Sequence, residues 1–140
     1  MKKGFIYILS VISIICGVLI LVSLSLAQDD HIVVLVLDNT IHPITARYIE
    51  RGISRAEQDE AVLVVIELNT PGGLVTSMSQ IVEKILPSQV PVVVYVYPQG
   101  ARAASAGVFI TMAAHIAAMA PGTNIGAAHP VGAQGGDIEG

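Results

Sequence analysis

Cysteine is all but missing from this sequence. The single one, Cys16, has no partner, so an internal disulfide is excluded and any folded unit must hold together by packing alone. Basic residues are also few. Past Gln28 there are only Arg47, Arg51, Arg55, Lys84 and Arg102 against eleven carboxylates, a formal charge of −6 that leaves no basic patch for nucleic acid. The histidines His31, His42 and His115 stand at no metal-ligand spacing from any Cys, Asp or Glu, and no metal or nucleotide motif is present, so neither a metal nor another cofactor is expected.

Charge is absent altogether between Lys3 and Asp29. The run Gly4 to Ala27 is mostly Ile, Leu, Val and Ser, about as long as a bilayer-spanning helix requires, with no polar face that would suit a buried core helix. Lys2 and Lys3 precede it and Asp29 and Asp30 follow, which by the positive-inside rule predicts a cytoplasmic amino terminus and an extracytoplasmic remainder. Residues 1–27 are therefore expected to be a signal peptide or a signal-anchor transmembrane helix. The small residues of Ser25-Leu26-Ala27 favour cleavage, which would release the domain, and the length of the apolar run favours retention. Cys16 follows Ile14 and Ile15 rather than the small residue of a lipoprotein signal, and is expected to face lipid or lie buried.

From His31 onward apolar runs alternate with amphipathic ones. Ile32 to Leu37, Ala61 to Leu68, Val92 to Tyr97 and Ile116 to Ala120 predict strands, and the first three are so rich in Val and Ile that burial on both faces is expected. Ile44, Tyr48, Ile49, Ile53 and Ala56 fall on one side of a helix over 44–58, with Arg47, Glu50, Arg51 and Arg55 on the other and Pro43 suited to its first turn. Leu74, Met78, Ile81, Val82 and Ile85 predict a second helix closed by Pro87. Small and apolar residues over about 103–115 predict a third, buried one. The alternation calls for an α/β fold with a mostly parallel sheet and right-handed crossover helices, over residues 28–140. After Pro121 the chain turns glycine-rich, and a continuing pattern is lacking.

Two loops leave the carboxyl ends of predicted strands, where open α/β sheets bind ligands. In Asn69-Thr70-Pro71-Gly72-Gly73 the paired glycines let a substrate approach the main chain, and unpaired N–H groups at the following helix start can face an oxyanion. In Ala103-Ala104-Ser105-Ala106-Gly107 the Ser105 hydroxyl stands unobstructed beside the N–H of Ala106, as a nucleophile requires. Each loop alone reads better as structure, a strand-to-helix turn or a tightly packed helix start. Together, on adjacent parallel strands, they point to hydrolysis.

The succession Asn-Thr-Pro-Gly-Gly, Pro-Val-Val-Val-Tyr-Val, Ala-Ala-Ser-Ala-Gly and Met-Ala-Pro-Gly-Thr-Asn-Ile-Gly-Ala-Ala-His-Pro resembles the NfeD-type membrane-bound serine peptidases, or stomatin operon partner proteins. The resemblance implies a Clp-protease/crotonase-like fold, Ser105 as nucleophile, and an oxyanion hole from the main-chain N–H groups of Gly72, Gly73 and Ala106. It also implies endopeptidase action on hydrophobic segments such as those of a stomatin-like partner at the membrane, and homo-oligomeric assembly. The family's general base is a lysine. Lys2 and Lys3 flank the apolar run, and Lys84 sits at the far end of the second helix, so the base is expected beyond Gly140, and the domain to be incomplete at the C-terminus and inactive as it stands. His129 is the weaker candidate base: related Clp enzymes read His-Gln-Pro here, whereas Ala128-His129-Pro130 is shifted by one residue, which turns an extended side chain to the opposite face. Asp137 and Glu139 read as solvated charges. Two alternatives stay open, an acyl-CoA hydratase-like enzyme, disfavoured by the absence of a carboxylate at or beside Ser105, and a catalytically inactive membrane-anchored interaction module.

Overall fold

The computed structural model describes residues 4, 7, 10–18 and 30–128. Contacts divide the chain into two units, Met1–Asp30 and His31–Gly140. In the first, residues 10–18 are helical and Cys16 is exposed. Among the described residues no helix is long and apolar enough to cross a membrane, and the rest of 1–27 lies outside them.

The second unit runs β1 (Ile32–Asp38), α1 (Pro43–Gln58), β2 (Leu63–Asn69), α2 (Val75–Ile85), β3 (Val92–Val96), β4 (Arg102–Ala104), α3 (Ala106–Ala113), β5 (Ile116–Met119) and β6 (Asn124–Gly126). The main sheet is parallel throughout, in the order β1-β2-β3-β5. Pro43 does occupy the first turn of α1, and His42 caps that helix: its Nδ1 accepts from Ile44 N–H while Thr45 Oγ1 accepts from His42 N–H. Basic and apolar residues separate around α1 as the spacing predicts, with Ala46, Ile49, Ile53 and Ala56 buried.

Three sequence-based expectations need correction. The strands are not buried on both faces. Leu35, Ile66 and Val94, matched in register, are buried, whereas Ile32, Val34 and Val36 are each more than half exposed. The order explains this: successive strands advance in one direction, so right-handed crossovers bring α1, α2 and α3 to the same face, and covering the other would need a reversal of strand order. The third helix starts at Ala106 rather than near Ala103, because Arg102–Ala104 pairs in parallel with Asn124–Gly126 as a small second sheet. Nor is that helix buried all round. Ile110 is buried, but Phe109 and Met112 are 40% and 75% exposed.

Lys84 closes the far end of the helical layer. Its Nζ donates to Glu57 Oε2 at 2.7 Å, tying α2 to α1 with both side chains about three-quarters buried. The hydrogen bond from Lys84 is the main reason the Glu57 carboxyl is held below the usual carboxylate range, outweighing the upward push of burial. The folded state thus holds this proton less readily than the unfolded chain does. The stabilisation is complete above the ordinary carboxylate value and is lost as pH falls through the lower folded value. Lys84→Met is expected to cost about 1 kcal/mol at neutral pH. Urea denaturation should show the gap between variant and parent narrowing as the pH is taken below the ordinary carboxylate range, and a gap of equal size at neutral and acid pH would refute the assignment.

Candidate active site

The carboxyl ends of β2 and β3 bring the two unusual loops together at one rim of the sheet. Thr70, fully buried, joins them. Its N–H donates to Arg102 C=O at 2.7 Å and its C=O accepts from Ala104 N–H at 3.1 Å, so the segment leading to Ser105 is stitched to the segment leading to the glycines. Asn69 adds a side-chain clamp, accepting from Arg102 N–H at 3.1 Å and donating to Asp38 Oδ1 at 2.8 Å at the end of β1.

Beyond Thr70 the diglycine turn runs against Ser105. A Cβ on Gly72 would lie 2.7 Å from Ser105 Cβ and 3.2 Å from its Oγ, and at φ 111 that residue is in a conformation open to glycine. A Cβ on Gly73 would collide with the main chain of Ile41, whose N–H donates to Gly72 C=O and whose C=O accepts from Leu74 N–H. Two side-chain-free positions therefore let one strand-like segment fit between Ile41 and the serine.

Ser105 itself sits at φ 50, ψ −113, outside the regions allowed to ordinary L-residues, on a sharp turn from β4 into α3. Its own N–H is engaged by Gly126 C=O at 3.0 Å. Its hydroxyl has no hydrogen-bond partner among the described residues, and Ser105 lines a cavity of about 180 Å³ together with Gly73, Met78, Ala106 and Phe109. A strained serine at a strand-to-helix turn beside a cavity has the backbone form that a nucleophile elbow would need.

The main-chain donors around it are not equivalent. Gly72 N–H is turned inward to Thr70 Oγ1 at 3.1 Å. The N–H groups of Gly73 and Ala106 meet no acceptor among the described residues, and both residues line the cavity. The structure thus brings Ser105, Gly73 and Ala106 to one hollow and leaves Gly72 beside it with its donor occupied. His129, Asp137 and Glu139 lie outside the described residues. His42 caps α1, His115 Nδ1 accepts from Val92 N–H at 3.1 Å, and Lys84 is bound to Glu57, so none of these reaches the serine.

The profile of the family described as "NfeD1b, N-terminal domain" matches residues 31–139. The chain belongs to this family. Among curated relatives it is 44% identical over 114 residues to membrane-bound protease PH1510 of Pyrococcus horikoshii, an alignment taking in 81% of this chain and 26% of that protein. Among solved structures it is similar to a mutant of the 1510-N membrane-bound stomatin-specific protease in complex with a substrate peptide, with TM-score 0.74 and 44% identity over 82% of this chain and 53% of that one. A ClpP1 mutant from Listeria monocytogenes, at TM-score 0.62 and 23% identity over 71% of this chain and 58% of that one, shares the fold. This NfeD1b-type domain therefore has the Clp-like α/β architecture expected of it, and spans about a quarter of the curated relative and about half of the solved ones.

Sequence alone places Asn69 and Thr70 at the start of a loop and assigns their side chains no role. The signal was there in retrospect, since polar side chains at the last positions of a buried strand must find partners locally. Thr70→Val keeps the shape but leaves the buried Gly72 N–H without its acceptor, and is expected to destabilise the domain by about 1–3 kcal/mol. Equilibrium urea unfolding checks this, and a change too small to resolve would show that Thr70 Oγ1 is dispensable.

Proposed function

We propose that this domain is the nucleophile-bearing part of a membrane-associated serine endopeptidase. Ser105 Oγ attacks the carbonyl carbon of a peptide bond, forming an Oγ–C bond. The carbonyl oxygen becomes an oxyanion held by the N–H groups of Gly73 and Ala106. Collapse breaks the C–N bond, the serine proton passes to the departing amine by way of a general base, and water then releases the acyl group from Ser105. In the family pattern the base is a lysine. The observation that carries the proposal is the contact of a strained Ser105, its hydroxyl unpartnered among the described residues, with the diglycine turn beside a shared cavity.

The apolar walls of the cavity and the stomatin specificity of the related 1510-N protease favour hydrophobic segments of a stomatin-like membrane protein as substrate. The charge pattern around residues 4–27 favours membrane association with the domain extracytoplasmic, and the family resemblance favours self-assembly. No carboxylate lines the Ser105 cavity among the described residues, which weighs against a hydratase.

An equilibrium probe suits this chain better than a rate, because it does not depend on how fast a base removes the proton. A peptide boronic acid accepts the Ser105 oxygen at boron, releases the hydroxyl proton to solvent and becomes a tetrahedral anion resembling the transition state. Binding at least about a hundredfold tighter than that of the matching peptide carboxamide is expected, and Ser105→Ala should abolish the difference without altering the circular dichroism spectrum. An intact domain that binds boronate and carboxamide equally would instead be a binding module.

A further inference from the structure

β4, Arg102–Ala104, is short, and a single bridge between Thr70 and Ala103 joins it to the main sheet. Thr70 N–H donates to the C=O of Arg102, at the start of the segment that leads into Ser105. The N–H of Arg102 is held by a side chain instead, donating to Asn69 Oδ1 at 3.1 Å. Both main-chain polar groups of Arg102 are thus anchored at the end of β2, one by the Thr70 main chain and one by the Asn69 amide.

An asparagine amide has two unlike ends, an oxygen that accepts and an NH2 that donates. Only the oxygen suits Arg102 N–H, since the amide turned over would set donor against donor. What selects between the two orientations lies on the neighbouring strand. Asp38, the last residue of β1, is the register partner of Asn69, and its Oδ1 accepts from Asn69 Nδ2 at 2.8 Å. An ionised carboxylate only accepts. It therefore binds the NH2 end of the amide and leaves the oxygen for Arg102. Among the described residues Asp38 takes part in no ion pair.

We infer that Asp38 is a positioning residue for Ser105, acting through the Asn69 amide on the main chain of Arg102. This rests on Ser105 being the attacking group. The path runs from carboxylate to amide, from amide to Arg102 N–H, and along β4 to the serine. Ser105 at φ 50, ψ −113 keeps that conformation only while its surroundings enforce it. With the amide turned over, Arg102 N–H loses its acceptor, β4 keeps only the Thr70 bonds and its pairing with β6, and Ser105 can shift against Gly73 and Ala106. A misplacement of about 1 Å is enough to cost about a hundredfold in reactivity.

The polarity of the pair predicts how substitutions behave. Asn69→Asp sets two carboxylates against each other, so one must turn away. Asp38→Ala frees the NH2 end of the amide. When Asp38→Asn is combined with Asn69→Asp, the NH2 is supplied from β1, and the carboxylate now on β2 accepts from it and from Arg102 N–H together.

Two measurements on the full chain test this. The ratio of peptide boronate to carboxamide affinity reads the placement of Ser105 against its donors, and amide hydrogen exchange at Arg102, followed by NMR, reads the clamp itself. Each single substitution is expected to lower the ratio and to speed exchange at Arg102 by at least about tenfold, with carboxamide affinity within about twofold of the parent. The double variant should return both to within about threefold of the parent. A contact that only stabilises the fold would leave the ratio unmoved. Single variants that keep the parent ratio, or a double variant no better than Asn69→Asp, overturn the inference. Should Asn69→Asp fail to fold, Asp38→Ala, at an exposed position, decides alone, and a parent-like ratio there overturns it. If the parent itself shows no preference for boronate, the hydrolase assignment falls and the role of Asp38 toward Ser105 falls with it; if parent and variants prefer boronate equally, only Asp38 loses its role.

Discussion

The candidate site depends on the buried main chain and hydroxyl of Thr70. One residue at the end of β2 supplies a donor and an acceptor to the segment entering Ser105 and an acceptor to the turn carrying the glycines. Without those bonds the two loops would be neighbours of similar height on adjacent strands, with no fixed separation. With them, the serine and the unpaired amides are held as a unit, with their relative orientation fixed by the fold itself. Gly107 completes the joint from the other side. A Cβ there would lie 2.7 Å from Thr70 Cγ2, so a larger residue at the start of α3 would push the serine's helix off its anchor.

Topology sets the rest. Because β1, β2, β3 and β5 succeed one another in a single direction, every crossover helix lies on the same side, and α2 and α3 start beside one another at the rim that holds Ser105. Two helices that set out from a common edge meet beside the Ser105 cavity, where Met78 and Phe109 form part of its wall.

Much of this could be read in the sequence, and what could not has physical reasons. The strands and α1 were legible because Val-rich runs and a two-faced helix leave strong periodic signals, and their ends fall within a residue or two of the observed ones. Burial of the strands was misjudged because Val and Ile stand at both odd and even positions of β1, so composition does not separate the face that meets helices from the one that does not. β4 and β6 escaped notice because three residues are too few to show a period. At the site, Ser105 and the diglycine turn stood out by type and order. That Gly72 spends its N–H on Thr70, and that Met78 is a cavity wall rather than plain core, depend on side-chain direction, which spacing alone does not record.

The backbone at Ser105 carries a further consequence. A non-glycine residue at φ 50, ψ −113 costs of order 1–3 kcal/mol and persists only while its surroundings enforce it. The enforcing contacts are few: Gly126 C=O on its N–H, the Thr70 bonds just before it, and the first turn of α3 just after. That stretch of chain is spring-loaded, and any disturbance that frees it lets the serine relax to an ordinary conformation while the sheet and the Ile-rich face of α1 stay intact. The local geometry at Ser105 is thus a more fragile property than foldedness, and a native spectrum does not by itself report that the serine is held in this conformation.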